Sequence, residues 1–306
     1  MHETRSERAI GVWYTLSAFT LWGVLPLYWK ALKQVPSPQI LAHRIFWAFV
    51  FVLTVVLVRR RWSDIRSSIS SMKNWTTCFA SAFFIGINWF IYIWAVNADH
   101  VVETSMGYFI NPLINVLLGI LFLRERLGFW KCAAVLLALS GVMYMTLMYG
   151  KFPWIALALA VSFGLYGFFR KIAKVDSLTG LLVETAMLSP IVVTYLVVQA
   201  ILGKGVFGTA SASTHLLLIL SGVVTATPII WFAHGARLIP LSMVGFIQYL
   251  APSLQLLLAV LVFREPFTRA HLISFSLIWG ALALFSLSHT SWMKRVEPGR
   301  SIKEHD

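Results

Sequence analysis

Pro112 to Glu125 reads P-L-I-N-V-L-L-G-I-L-F-L-R-E, and Pro252 to Glu265 reads P-S-L-Q-L-L-L-A-V-L-V-F-R-E. Both stretches set a proline and an Arg-Glu pair at the same spacing around an apolar run, 140 residues apart. The correspondence extends outward. Phe19-Thr20-Leu21-Trp22-Gly23 matches Phe163-Gly164-Leu165-Tyr166-Gly167, Lys30 matches Lys174, and Trp89-Phe90 matches Trp231-Phe232, at offsets between 140 and 144. An internal repeat in an apolar helical chain points to a secondary transporter.

The 306 residues are 58% hydrophobic and 12% charged, more apolar surface than one soluble core hides. Crossing a bilayer takes about 20 apolar residues at about 1.5 Å of rise. Ten runs qualify: 9–30, 38–58, 75–96, 102–123, 129–148, 153–172, 179–202, 215–236, 241–263 and 270–288. The first is too long for a signal peptide and lacks a small-residue cleavage site, so it is expected to stay. The expected fold is an all-α polytopic membrane protein of ten transmembrane helices. Residues 9–148 form one five-helix repeat, 152–288 a second, and 289–306 a cytoplasmic tail. Five is odd, so the second copy enters from the opposite face. That is an inverted repeat about a pseudo-two-fold axis in the membrane plane, with a small-molecule site between the halves.

The net charge of +13 follows the same topology. With the N-terminus inside, eighteen Lys and Arg fall in inside segments and six outside, leaving Arg44 within a span. The positive-inside rule then sets both termini in the cytoplasm. The basic balance needs no nucleic acid; the bilayer is the expected partner. Cys78 and Cys132 have no metal or redox spacing around them. Gly203-Lys204-Gly205 lacks the rest of a phosphate loop, and neither H-E-x-x-H nor a nucleophile elbow occurs. No metal, no cofactor and no enzyme activity are expected.

Ionisable residues inside a span cost about 3 kcal/mol on insertion scales unless paired or hydrated. Glu184, in span seven, is a candidate for proton coupling or substrate binding, with a structural carboxylate as the alternative. Arg44, in span two, occupies the equivalent position 140 residues earlier. The two either form an ion pair across the pseudo-symmetry axis or stand about 10 Å apart along the normal, given the helical rise. Arg44 and the adjoining His43 lean to a structural role. Glu103, with His100 three residues before it, reads as an entrance carboxylate or as an acid at a helix start. Tyr108, Asn111 and Asn115 share one face of span four. Gln248 and Gln255 repeat that stripe in span nine, which favours a cavity lining over interhelical bonding alone. Pro112 and Pro252 beside the stripes, with Pro26, Pro190 and Pro228 elsewhere, are hinges or fixed kinks.

Trp13, Trp62, Trp75, Trp130, Trp154 and Trp292 fall near span ends and read as interfacial anchors. Trp22, Trp89, Trp94 and Trp231 lie deeper. With Tyr166 and Tyr249 they form the expected aromatic wall of a cavity for amphipathic or cationic solutes.

Several stretches then resemble the ten-span EamA-type transporters of the drug/metabolite transporter superfamily, and within them the RarD-type branch. They are His43-Arg44-x-x-Trp47, Asn88-Trp89, Ile93-Trp94-Ala95-Val96-Asn97 and Glu103-x-Ser105-Met106-Gly107-Tyr108-Phe109-Ile110-Asn111-Pro112-Leu113. Phe122-Leu123-x-Glu125-Arg126, Tyr166-Gly167, Arg170-Lys171, Glu184-Thr185 and Gly245-Phe246-x-Gln248-Tyr249 continue the match. Met106 stands where the family pattern has leucine. The resemblance implies a permease of the bacterial inner membrane, a basket of helices around a central cavity. It also implies that spans five and ten lie at the periphery and support a homodimer. Asn88 joins the cavity candidates through its motif. The expected activity is secondary transport of small metabolites or drug-like amphipathic compounds by alternating access, in the export direction. A passive channel or non-coupled exchanger is the alternative.

Overall fold

The computed structural model describes residues 5–59, 72–123, 128–149, 152–173, 175, 177–236, 238–239, 244 and 247–288. Ten helices follow one another along them: α1 Arg5–Lys30, α2 Ser37–Val58, α3 Met72–Asn97, α4 Val101–Leu123, α5 Phe129–Tyr149, α6 Trp154–Ala173, α7 Ser177–Ile201, α8 Ala212–Gly235, α9 Leu250–Leu257, which continues as a π turn over Leu258–Val262, and α10 Arg269–Leu287. No strand occurs among the described residues. Seven of these helices are long and apolar enough to cross a membrane, with Trp154–Arg170 and Leu250–Val262 as shorter apolar helices.

The outward faces carry the same message. Leu136, Leu139, Leu147 and Met148 on α5, and Ile191, Val197 and Ile201 on α7, are exposed. Such a continuous apolar exterior needs lipid around it. Trp13, Trp75 and Trp154 are exposed near helix ends, as interfacial anchors are. Trp62, Trp292 and the tail 289–306 lie outside the described residues.

The packing joins early helices to late ones. α2 packs on α7 and α8, α1 on α8 and α9, α6 on α3 and α4, α7 on α3, α4 on α9, and α5 on α10. Small residues let backbones meet. A Cβ on Gly222 of α8 would stand 2.2 Å from the Trp47 carbonyl carbon of α2.

Among the described residues, the chain departs from the expected spans around span nine, expected as an unbroken run over 241–263. Gln248 and Tyr249 form a turn, and the helix resumes at Leu250. Pro252 has no N–H to offer the Gln248 carbonyl, and its ring crowds that oxygen. Bonds on either side are intact: Gln248 N–H reaches the Val244 carbonyl at 2.9 Å, and Ser253 N–H the Tyr249 carbonyl at 3.2 Å.

Past the π turn the chain stops on Arg264, which takes a left-handed φ of 56°. Glu265 N–H then folds back on the Ala259 carbonyl at 2.9 Å. This turn aims the Glu265 carboxylate at the start of α4, where it accepts from Val101 N–H at 2.9 Å and Val102 N–H at 2.8 Å. An anion on free N–H groups at a helix's positive end is favourable. Its counterpart in the first repeat, Glu125, lies outside the described residues. At the same rim, the α3–α4 turn places Asp99, also left-handed at φ 63°, on the ammonium groups of Lys30 and Lys33. Those hydrogen bonds, Lys30's first, hold the Asp99 carboxyl below the usual carboxylate range.

Candidate functional site

A cavity of about 310 Å³ lies at the centre, lined from α1 by Phe19, Trp22 and Leu25, from α2 by Arg44, from α3 by Ile85, Asn88, Trp89 and Tyr92, and from α4 by Tyr108 and Asn111. The later helices contribute Phe163, Tyr166 and Arg170 from α6, Thr225, Ile229 and Phe232 from α8, and Gln248, Ala251, Pro252 and Gln255 at α9. Its size is that of a small-molecule site, and its walls are mostly apolar with a few converging polar groups.

Tyr108, Asn111, Gln248 and Gln255 of the polar stripe line this space. Pro112 and Pro252 each leave a carbonyl four residues earlier without its helical donor, on Tyr108 and Gln248, two of the lining residues. Asn111 is buried, and its Oδ1 has no partner among the described residues. Gln255 Nε2 donates to the Trp22 carbonyl at 3.2 Å, leaving Oε1 unpartnered. Asn115 belongs to α4, but its side chain lies outside the described residues. Asn88 ties α3 to α6, its Nδ2 donating to the Leu159 carbonyl and Ser162 Oγ, both at 3.0 Å.

Arg44 is buried at the wall. Its Nε donates to Thr225 Oγ1 at 2.9 Å. Its Cζ stands over the rings of Trp89 at 4.4 Å and Trp29 at 4.9 Å, so two indole faces balance part of its charge. Arg44 and Glu184 are not paired with each other. Glu184, 1% exposed, lies behind the wall. It accepts a hydrogen bond from Ser81 Oγ and stands 3.5 Å from Arg170 Nε. Arg170 reaches it across Gly180, whose missing side chain leaves room for the guanidinium.

Five candidates lie elsewhere. Tyr249 packs against Phe109 with ring centroids 6.3 Å apart, while its neighbour Gln248 lines the cavity. His43 packs on Phe207 at 5.3 Å, away from the cavity that its α2 neighbour Arg44 lines, since consecutive helical residues diverge by about 100°. Glu103 lies at the start of α4, 3.1 Å from His100 Nδ1. Trp94 stacks on His100 and Trp231 is half-buried; neither lines the cavity.

Sequence reasoning did not place Arg170 at the cavity: it counted among the inside cations and entered only through the family match, although it falls within span six. Tyr92, Thr225, Phe163 and Phe232 also escaped it, being ordinary residues for a membrane helix. The charged side chains lining the cavity, among the described residues, are Arg44 and Arg170, which repel a cation.

The EamA-like transporter family matches residues 9–147. An uncharacterized transporter, YojE, of Bacillus subtilis is 44% identical over 94% of this chain and 97% of its own length. The protein RarD of Escherichia coli is 41% identical over 90% of this chain and 93% of its own. A crystal structure of another protein, 22% identical, shares the fold at a TM-score of 0.57, over 92% of this chain and 98% of that one. Apolar helices, a central cavity and relatives aligned along almost the full length lead to one conclusion: the chain is a membrane transporter of the EamA-like family, among its RarD-type members.

Proposed function

We propose that the chain is a secondary active transporter exporting small amphipathic metabolites or drug-like compounds across the bacterial inner membrane, with both termini cytoplasmic. The observation that carries this reading is the cavity, walled by α1–α4 on one side and by α6, α8 and α9 on the other. The packing supports two inverted halves. Pairing α1 with α6, α2 with α7 and so on turns the α3–α6 contact into α8–α1, α4–α6 into α9–α1, and α2–α8 into α7–α3, all of which occur. Two halves related in this way exchange conformations and expose the cavity to either side in turn.

Glu184 carries the coupling proton in this reading. It is withdrawn from the cavity, yet linked to it through Arg170, which touches both. Its Oε2 has no partner among the described residues and is the oxygen for the proton. Protonation frees Arg170 towards the substrate; deprotonation draws it back. α5 and α10, packed on one another at the edge, supply the homodimer face.

The test compares medium and cytosol of cells overproducing the wild type or Glu184→Gln, by untargeted mass spectrometry with and without a protonophore. Coupled export moves one class of compound outward with the wild type alone and only with the gradient. Outward flux indifferent to the protonophore would replace coupled export with a passive channel or non-coupled exchanger.

A further inference from the structure

Building on the reading of this cavity as the transport site, we propose that Arg44 anchors the carboxylate of the transported compound, an amphipathic monocarboxylic acid. A guanidinium offers five N–H donors in one plane. Thr225 takes the Nε proton at 2.9 Å, while Nη1 is buried with no partner among the described residues. Trp29 and Trp89 stand over Cζ. Ring faces attract the charge but offer no oxygen lone pair to the remaining N–H groups.

The charge balance gives the number of negative charges. Arg170 has its carboxylate in Glu184, 3.5 Å away. Arg44 has no carboxylate within ion-pair distance among the described residues. One cation is therefore left over at a buried site, where an uncompensated charge is expensive. A single carboxylate on the substrate compensates it with charge-assisted hydrogen bonds.

The same lining disfavours an amine on the compound. No carboxylate lines the cavity among the described residues, so an ammonium group meets only the two arginines. An amino acid would bring one charge that fits and one that does not. The remaining unpartnered groups, Tyr92 Oη, Asn111 Oδ1 and Gln255 Oε1, suit a hydroxyl or amide on the body of the acid. The aromatic walls enclose its apolar part.

Titration calorimetry on the purified full-length chain tests this with aryl- and alkyl-substituted monocarboxylates of graded length, each beside its own primary amide. At least one acid is expected to bind about tenfold or more tightly than its amide, the ratio one charge-assisted hydrogen bond supports. In Arg44→Gln that ratio should fall to about twofold or less, and Arg44→Lys should keep part of it, since a point charge replaces a fork. Should Arg44→Gln fail to fold, the wild-type ratio and its decline in Arg44→Lys decide. The proposal is overturned if no acid outbinds its amide, or if the preference survives loss of the guanidinium. Counterflow in proteoliposomes separates this from the transport reading. Saturable flux of amides with no preference for acids sinks the Arg44 proposal and leaves transport standing. Absence of saturable flux for every compound sinks transport, while the binding ratio still decides Arg44.

Discussion

Arg44 and Glu184 occupy equivalent positions in the two repeated stretches, 140 residues apart, and each bonds a hydroxyl from equivalent positions 144 apart, Thr225 and Ser81. The surroundings then diverge. Arg44 faces the cavity between two indole rings and has no carboxylate partner among the described residues. Glu184 is withdrawn from it and held 3.5 Å from Arg170. The repeat preserved a polar pair linking two helices and reversed the sign of the charge. In the inference drawn above, the half whose cation has no carboxylate partner among the described residues receives the anion. In the function proposed above, the half that keeps a matched pair holds and releases the proton.

The largest expected effect breaks the second half alone. Glu184→Gln should lower gradient-driven flux by about tenfold or more, the scale of losing a proton-transfer group, and leave substrate exchange measurable, because exchange needs no net protonation. Flux driven by the gradient at the wild-type rate would return Glu184 to a structural role.

Stability sharpens the contrast. Arg170→Gln strands a buried carboxylate and should cost about 3–5 kcal/mol, read as a fall in thermal stability in detergent. Arg44→Gln strands no carboxylate and should cost much less, since the cation it removes had no charged partner to abandon. Equal losses in the two variants would mean that Arg44, too, serves a buried pair.

Gly180→Ala is gentler. The added methyl would fall 1.2 Å from Arg170 Nη1, so the guanidinium must move. Overpacking of this kind costs about 1–3 kcal/mol. Coupled flux should decline while acid binding at Arg44 holds, and a decline in both would mean the two centres act as one.

The smallest effect belongs to the rim. The Asp99 carboxyl is held low by Lys30 and Lys33, so its contribution is present above the unfolded carboxylate pKa of about 4. It is lost as pH falls through the lower folded value. Asp99 is 54% exposed, where solvent screening leaves an ion pair little weight. Asp99→Asn should flatten only the acid end of a stability profile taken between about pH 5 and pH 3. A change as large as that of Arg170→Gln would place a buried network at the rim.

The helices were legible because length and hydropathy are local properties. Nine expected spans agree with α1–α8 and α10 to within four residues at either end. Pro252 was visible in the sequence, but the turn it leaves at Gln248 was not. A proline inside α4 is accommodated without such a turn, so its effect depends on what packs around it.

The site was legible as a stripe and illegible as a constellation. Tyr108, Asn111, Gln248 and Gln255 announced themselves by helical spacing and by repeating. Arg170 sits only fourteen residues from Glu184 in the chain, but on a different helix, and its meeting with that carboxylate depends on a glycine at 180. Thr225 reaches Arg44 from 181 residues away.

By itself, the sequence determined ten apolar runs, the repeat that relates them and the residue types that had no business in lipid. These follow from the backbone's need to satisfy its own hydrogen bonds in a bilayer, which leaves helices as the local answer. Only the tertiary structure decided which buried charge found a partner. A charge's environment is made by residues distant in the chain, and here that placed Glu184 beside Arg170 and left Arg44 facing the cavity.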